Sequence, residues 1–176
     1  MNRSALILTT VVFAASCAST STSNEPPGIT AVAKLQSTKG NTASGTATFV
    51  QRGDTVYVTA NVTGLKPNAD HGFHVHEKGD CSSGDGMSTG GHFNPLAKAH
   101  AAHDAAEHHA GDLPSLKSDA YGNASLKFET KAISVGSGAT DVVGKGLIVH
   151  RDADDYKTQP TGNAGPRIAC AVIERS

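Results

Sequence analysis

The stretch TVYVTANVTG, residues 55–64, alternates apolar and polar side chains at every second position. Successive side chains of an extended strand point to opposite faces, so a period of two is typical of a half-buried β-strand. One face carries the apolar set: Val56, Val58, Ala60 and Val62. The other face is mainly threonine, and Gly64 closes the segment with a turn signal.

Six further segments continue this pattern, separated by Gly, Asn, Asp and Pro. They are TAVAKLQS (30–37), SGTATFVQ (44–51), HGFHVHE (71–77), GNASLKFET (122–130), GKGLIVH (144–150) and RIACAVIE (167–174). Short alternating strands with such punctuation predict an all-β antiparallel sandwich or barrel. At 176 residues the chain is long enough for one domain and short for two.

Two connections between these strands are long, residues 77–118 and 151–167. Loops of more than about 15 residues inside a compact domain usually serve a function. The alanine-rich stretch LAKAHAAHDAAEHHAG (96–111) leaves a helix open as an alternative. It has no regular apolar stripe, however, and its His, Asp and Gly content favours a loop.

The amino-terminal sequence MNRSALILTTVVFAASC (1–17) has one basic residue, Arg3, then an apolar run and small residues. This layout predicts a secretory signal peptide. The run is shorter than the about 20 apolar residues that span a bilayer, so no transmembrane segment is expected in the mature protein. Polar residues 18–28 predict a flexible tether, and residues 29–176 the folded domain. Lipidation of Cys17 and ordinary cleavage both stay open.

Charge and cysteine content narrow the function classes. Loss of Arg3 leaves 14 basic and 16 acidic side chains, without a basic stripe and with few aromatic residues, so nucleic-acid binding is not expected. Removal of Cys17 from the folded domain leaves Cys81 and Cys170. In an exported protein this count favours one disulfide over two unrelated buried thiols.

Several histidines fall on strand positions that point away from the core. His74 and His76 share one face of their strand, while Phe73 and Val75 point inward. By the same alternation, Leu147 and Val149 of GLIVH point inward, so His150 points outward. Three imidazoles from two strands can thus converge outside the barrel wall and chelate a metal, although solvated or hydrogen-bonded histidines are the alternative.

The long loop GGHFNPLAKAHAAHDAAEHHAGD (90–112) supplies a second set. Three imidazoles and one carboxylate suit tetrahedral zinc. The candidates are His92, His100, His109 and Asp112. Nonspecific metal affinity or simple solvation of a histidine-rich loop is the competing interpretation.

Taken together, these motifs resemble the copper/zinc superoxide dismutases, over about residues 30–173. The resemblance is carried by GFHVHE (72–77), GGHFNP (90–95), GLIVHRDADD (146–155) and GNAGPRIACAVI (162–173), with the loop histidines at matching intervals. It implies an Ig-like Greek-key β-barrel or sandwich with two long functional loops, a fold for which this family is a known example. It also implies dismutation of superoxide with copper and zinc as cofactors.

The resemblance further implies a role for each matching residue. Copper would be held by His74, His76, His92 and His150. Zinc would be held by His92, His100, His109 and Asp112, so that His92 is shared. Asp154 would join a copper histidine to a zinc histidine, and Arg167 would guide and hold the anionic substrate. Arg167 and His92 are then the catalytic candidates, and Cys81 would be bonded to Cys170.

Some assignments stay open at this stage. His71, His103 and His108 fall outside the ligand set, and only spacing chooses His109 over its neighbour His108. An exported module that sequesters copper and zinc without turnover is the alternative function. A copper chaperone of the same fold would usually carry a C-x-x-C pair, which this sequence lacks. Export to the periplasm is expected, a lipid anchor depends on Cys17, and a homodimer stays open.

Overall fold

The computed structural model describes residues 28–176. The predicted signal peptide, Cys17 and the tether, apart from its last residue, lie outside this range. Nine strands are present among the described residues: β1 Ile29–Ser37, β2 Ser44–Arg52, β3 Thr55–Thr63, β4 Asp70–His71, β5 Phe73–His76, β6 Leu116–Lys117, β7 Ala124–Thr130, β8 Gly146–His150 and β9 Arg167–Arg175.

Seven strands form one antiparallel sheet in the order β5-β8-β9-β1-β2-β3-β7, and β4 pairs with β6. The sheet curls into a half-barrel, as in a Greek-key barrel. The last strand, β9, returns to pair with the first, so the ends of the described domain lie side by side. The all-β prediction is confirmed.

Hydrophobic alternation explains the packing of β3. Its even-numbered residues from Val56 to Val62 are buried, and its odd-numbered neighbours face outward. On β7 the inward positions Leu126 and Phe128 are only partly buried, because β7 has a neighbour on one side alone. The seven predicted strands are all found, with ends shifted by one or two residues, except that 71–77 is broken at Gly72.

Gly72 lies between the two short strands β4 and β5, and its surroundings leave no room for a side chain. A Cβ at this position would lie 2.7 Å from the Cβ of Ala164 and 3.0 Å from His74 Cε1. The Gly72 backbone bonds to the end of β8 and the connection after it, accepting from His150 N–H at 2.8 Å and donating to the Asp152 carbonyl at 2.9 Å. Strands β4 and β6 are two residues long, too short for a periodic pattern to predict.

The two long loops contain almost no regular structure. The alanine-rich segment 96–111 forms turns, which confirms the loop prediction over the helical alternative. A single 3-10 turn, Met87–Thr89, is the sole helix in the described part of the chain. Within the same range no helix combines the length and apolar character needed to cross a membrane.

The longer loop is joined to the outer edge of β5 by main-chain hydrogen bonds. Val75 donates to the Gly111 carbonyl at 2.9 Å and accepts from Phe93 N–H at 2.8 Å. Gly111 in turn donates to the Phe93 carbonyl at 2.9 Å. Isolated bridges therefore place His92 opposite His76 and Asp112 opposite His74. In this way the loop continues the sheet beyond β5 and places His92 and Asp112 beside His76 and His74.

A disulfide between Cys81 and Cys170 ties the same loop to β9, with a Cα–Cα distance of 6.0 Å. The pair is 89 residues apart in sequence. Cys170 is buried on β9, three residues after Arg167. The disulfide thus links the first part of the loop to the strand that begins at Arg167.

Removal of this cross-link should destabilise the domain. In the chain-entropy model, a closed loop of this length contributes about 4–5 kcal/mol to the free energy of unfolding. We expect the metal-free double variant C81A/C170A to unfold at a lower urea concentration than the metal-free wild type. Its free energy of unfolding should be lower by up to that amount. An unchanged urea midpoint would contradict the stabilising role.

Candidate metal centre

Four histidines converge on the outer face of β5 and β8. We call them the histidine cluster: His74, His76, His92 and His150. Strand alternation places His74 and His76 on one face of β5, His150 ends β8, and the loop brings His92 against them. Each offers one ring nitrogen within 4.8 Å of the others. All four rings are buried, because the long loops cover the outward face of the strands.

Hydrogen bonds set the tautomers of three of these rings. A carbonyl or ionised carboxylate can only accept, so the ring nitrogen beside it carries the proton. His76 Nδ1 donates to the Gly90 carbonyl at 2.9 Å, and His150 Nδ1 to the Gly165 carbonyl at 3.0 Å. His74 Nε2 donates to Asp154 Oδ2 at 2.7 Å. The opposite nitrogen of each ring therefore keeps its lone pair.

Those opposite nitrogens point into the cluster. Four buried side-chain nitrogens of residues 28–176 have no hydrogen-bond partner: His74 Nδ1, His76 Nε2, His92 Nε2 and His150 Nε2. A buried polar atom without a partner lowers the stability of the fold. Here each of the four rings of the histidine cluster contributes one such atom. Four imidazole nitrogens in one place are a donor set that fits copper.

Burial keeps three of these rings, His76, His92 and His150, neutral at physiological pH. Burial, then the neighbouring histidines and Arg167, lower the pKa of His76 well below its ordinary value. Burial is also the main cause that lowers the pKa of His150 to about 3 and that of His92 to about 4. Metal binding at Nε2 therefore need not displace a proton from any of these three rings.

The second group lies on the other side of His92. We call it the carboxylate cluster: His92, His100, His109 and Asp112. Asp112 Oδ1 lies 2.9 Å from His92 Nδ1, 3.0 Å from His100 Nδ1 and 3.4 Å from His109 Nδ1. His109 Nδ1 and His92 Nδ1 are 3.4 Å apart. Tetrahedral zinc with bonds of about 2.0–2.1 Å would separate its ligand atoms by about 3.3 Å.

His92 is the one residue common to both clusters. Its Nδ1 faces Asp112 and its Nε2 faces the histidine cluster. The ring centroid of His92 is 4.0 Å from that of His74 and 5.2 Å from that of His100. One imidazole thus separates two potential metal positions.

A carboxylate outside the two clusters connects them a second time. Asp154 Oδ2 accepts from His74 Nε2, and Asp154 Oδ1 accepts from His100 Nε2 at 2.9 Å. Burial opposes ionisation of Asp154, but these hydrogen bonds outweigh it and hold its pKa below the ordinary value. The carboxylate is therefore charged and fixes the orientation of one ring from each cluster.

His100 experiences the strongest negative field in the site. Burial alone would lower its pKa, but hydrogen bonds to Asp112 and Asp154 outweigh it and raise the pKa to about 9. Because Nε2–H is donated to Asp154, the Nδ1 atom faces Asp112 Oδ1 at 3.0 Å. Two acceptors at that distance repel unless a proton or a cation lies between them, so the carboxylate cluster favours a positive charge at its centre.

Arg167 extends toward the histidine cluster from the start of β9. Its Nη1 donates to the Gly86 carbonyl at 2.7 Å and to Thr89 Oγ1 at 2.8 Å. Its Nη2 donates to the Gly90 carbonyl at 2.7 Å, the same carbonyl that accepts from His76. The guanidinium is therefore held beside His76 by the 3-10 turn.

The remaining histidines lie outside both clusters. His71 is fully buried and its Nδ1 donates to the His150 carbonyl at 2.9 Å. His103 is half-buried, with its ring edge against Phe128. His108 Nδ1 donates to the His109 carbonyl at 2.6 Å. Of the two neighbours, His109 belongs to the carboxylate cluster and His108 does not, and the choice of His109 as a ligand stays a prediction.

Sequence reasoning missed the main-chain groups that orient the rings. The carbonyls of Gly90 and Gly165 fall inside the quoted motifs, but a sequence pattern gives no carbonyl direction. It also gave no role to Gly162, whose φ is +67°. A methyl group there would overlap Asp154 Oδ1 and His100 Nε2. Glycine at the start of the motif that contains Arg167 was the available signal, because glycine marks close approach.

Comparison with known proteins is consistent with this geometry. A family model described as copper/zinc superoxide dismutase (SODC) matches residues 43–173. The chain is similar to superoxide dismutase [Cu-Zn] of Paramecium bursaria Chlorella virus 1, at 37% identity over 96% of this chain and 90% of that protein. It is similar to superoxide dismutase [Cu-Zn] 2 of Aquifex aeolicus (strain VF5), at 37% identity over 80% and 84%.

Among solved structures, the chain is similar to the crystal structure of the clock protein EA4. The TM-score is 0.76 and the sequence identity 38%, over 85% of this chain and 96% of that one. The all-β architecture is thus shared with an experimentally determined relative.

Substitution of Gly162 tests the close packing around Asp154. G162A should destabilise the metal-free protein, because it combines a strained left-handed backbone with overlap at the Asp154–His100 hydrogen bond. The backbone alone costs about 1–2 kcal/mol, and forced packing adds about 1–3 kcal/mol. Urea unfolding measures the sum of the two costs as the loss in free energy of unfolding.

Gly53 provides the matched control. It has a similar φ of +57°, and a methyl group there would meet no atom within 4 Å. G53A should therefore show the backbone cost without the overlap. Equal losses of stability in G53A and G162A would contradict the tight packing at Asp154.

Proposed function

The chain belongs to the copper/zinc superoxide dismutase family, and from that premise we propose that its histidine cluster holds copper and its carboxylate cluster holds zinc. The protein is a superoxide dismutase with copper and zinc as cofactors. Bound copper supplies the one-electron chemistry by which two superoxide anions and two protons become O₂ and H₂O₂. The remaining question is what each residue of this chain contributes.

The four unpaired nitrogens are the observation that carries the copper assignment. Each is buried, each has a lone pair directed into the cluster, and three are oriented by a bond at the opposite ring atom. Neutral imidazoles tolerate both oxidation states of copper, because they neither add charge nor need to lose a proton. The site excludes water at the rings, since all four are buried.

The zinc assignment rests on charge and spacing. Asp112 and three Nδ1 atoms lie at separations close to those of a tetrahedral zinc site, with the carboxylate supplying negative charge. A cation at this position would take the place of the proton between His100 Nδ1 and Asp112 Oδ1. Asp112 and Asp154 raise the pKa of His100 and so keep its ring protonated in the metal-free protein, and zinc would displace that proton.

His92 is the residue that we assign to proton transfer. Its Nδ1 faces Asp112 and the proposed zinc position, so zinc would hold the ring in place whether or not Nε2 carries a proton. We expect Nε2 to take up one proton and to pass it to the peroxide produced from the second superoxide. Asp154 supports this role indirectly, because it fixes the His74 and His100 rings on either side of His92.

Arg167 is the residue that we assign to substrate capture. A guanidinium has five N–H donors, and within residues 28–176 three are engaged by Gly86, Thr89 and Gly90. Nε–H and one Nη2–H therefore stay available to an anion. Superoxide is too small to be selected by shape, so a fixed positive charge beside the copper ligands is the means of attraction.

Export of the chain is supported by two independent features. Residues 1–17 have the layout of a secretory signal peptide, and the domain contains the Cys81–Cys170 disulfide. Disulfides persist in oxidising compartments such as the periplasm or the extracellular space. Mass spectrometry of the mature amino terminus would distinguish a lipid-bearing Cys17 from simple cleavage.

Metal reconstitution tests the proposed function. Protein loaded with both metals should suppress the reduction of cytochrome c by superoxide, and selective removal of copper should abolish the suppression. Full occupancy of both metals without suppression would favour the alternative, an exported module that sequesters copper and zinc.

Variants of Arg167 test substrate capture separately from metal binding. R167A should lower kcat/KM by about 10- to 100-fold, the range that electrostatic focusing supplies, while copper content stays unchanged. R167K keeps the charge and should lose less, and its rate should still fall as ionic strength rises. If R167A loses copper in proportion to activity, the capture role is wrong.

A further inference from the structure

The side chain of Gln159 is bonded to both backbone groups of a single residue, His100. Its Oε1 accepts from His100 N–H at 2.9 Å, and its Nε2 donates to the His100 carbonyl at 2.8 Å. The two residues are 59 positions apart in sequence. A third bond, from Nε2 to the Lys157 carbonyl at 3.3 Å, fixes the amide within its own loop.

His100 lacks the support that a strand would give. Residues 97–102 form neither helix nor strand, yet His100 is only 2% exposed. Buried backbone N–H and carbonyl groups need partners. The Gln159 amide supplies one acceptor and one donor, as a neighbouring strand does, and so holds the main chain of His100 in one place.

The ring of His100 is held from the same loop. Asp154 Oδ1 accepts from His100 Nε2 at 2.9 Å, which leaves Nδ1 directed at Asp112. Asp154 and Gln159 both belong to the β8–β9 connection, residues 151–166. One loop therefore fixes His100 twice, at the imidazole through Asp154 and at the main chain through Gln159.

We propose that Gln159 is a positioning residue for zinc, acting through the backbone of His100. The inference rests on the proposed assignment of His100 to the zinc site. Ring orientation alone does not determine where Nδ1 lies, because the ring moves with its Cα atom. When Gln159 is removed, the segment 97–102 gains freedom, and zinc should dissociate more easily although every ligand is still present.

The chemistry of the amide provides a matched set of variants. Only an amide has both a donor and an acceptor in this geometry. Q159E keeps the size and can accept from His100 N–H, but it has no donor and places a carboxylate oxygen against the His100 carbonyl. Q159A removes both bonds. Gln159 is exposed, so neither change disturbs the core.

Zinc affinity of the full chain, measured by competition with a chromophoric chelator, is the direct test. Loss of a group that supports a metal ligand costs about 10- to 100-fold in affinity. We expect about tenfold for Q159A, because water can reach the site, and a similar loss for Q159E. K157Q is the control, since the Lys157 side chain makes no hydrogen bond or ion pair to residues 28–176 and lies in the same loop.

A second readout separates positioning from general stability. The visible spectrum of cobalt bound in place of zinc reports ligand geometry, and it should change in Q159A and Q159E but not in K157Q. Wild-type affinity and an unchanged cobalt spectrum in both Gln159 variants would overturn the inference. If the wild-type chain itself binds neither zinc nor cobalt at His100, the proposed zinc assignment fails, and the inference with it.

Discussion

Both clusters depend on the position of the His92 ring, and main-chain pairing along β5 determines that position. Val75 is bonded on its outer edge to Phe93 and Gly111, so the residues beside them, His92 and Asp112, lie opposite His76 and His74. Gly111 is required at this point because a Cβ would overlap the Val75 carbonyl. Main-chain pairing of this kind thus brings a loop histidine between two groups of ligands, although the paired loop segments are not strands themselves.

This arrangement buries many polar groups in a small domain. Seven histidines, counting His71, and two aspartates are buried among the described residues. Most are compensated by one another or by carbonyls, but the histidine cluster keeps four unpaired nitrogens. Groups that are unsatisfied without a cation give metal binding a contribution to folding, because the unfolded chain holds no preformed site.

The sequence was most informative where a side chain follows from strand alternation. The period of two predicted the buried face of β3 and the shared face of His74 and His76. The sequence pattern did not predict the direction of main-chain groups or the pairing of distant segments. Nothing in the sequence shows that the Gly90 carbonyl accepts from both His76 and Arg167, or that the Gln159 amide reaches His100. These contacts depend on how two loops meet, and loop conformation has no periodic signal.

The two proposed metal positions are coupled physically by these shared groups. His92 belongs to both clusters, Asp154 is bonded to one ring of each, and the Gly90 carbonyl joins His76 to Arg167. A shift of His100 would therefore be transmitted through Asp154 to His74, and a shift of Arg167 through Gly90 to His76. Because the Cys81–Cys170 disulfide ties the loop to the strand that carries Arg167, the substrate-capturing charge and the copper ligands are held in one frame.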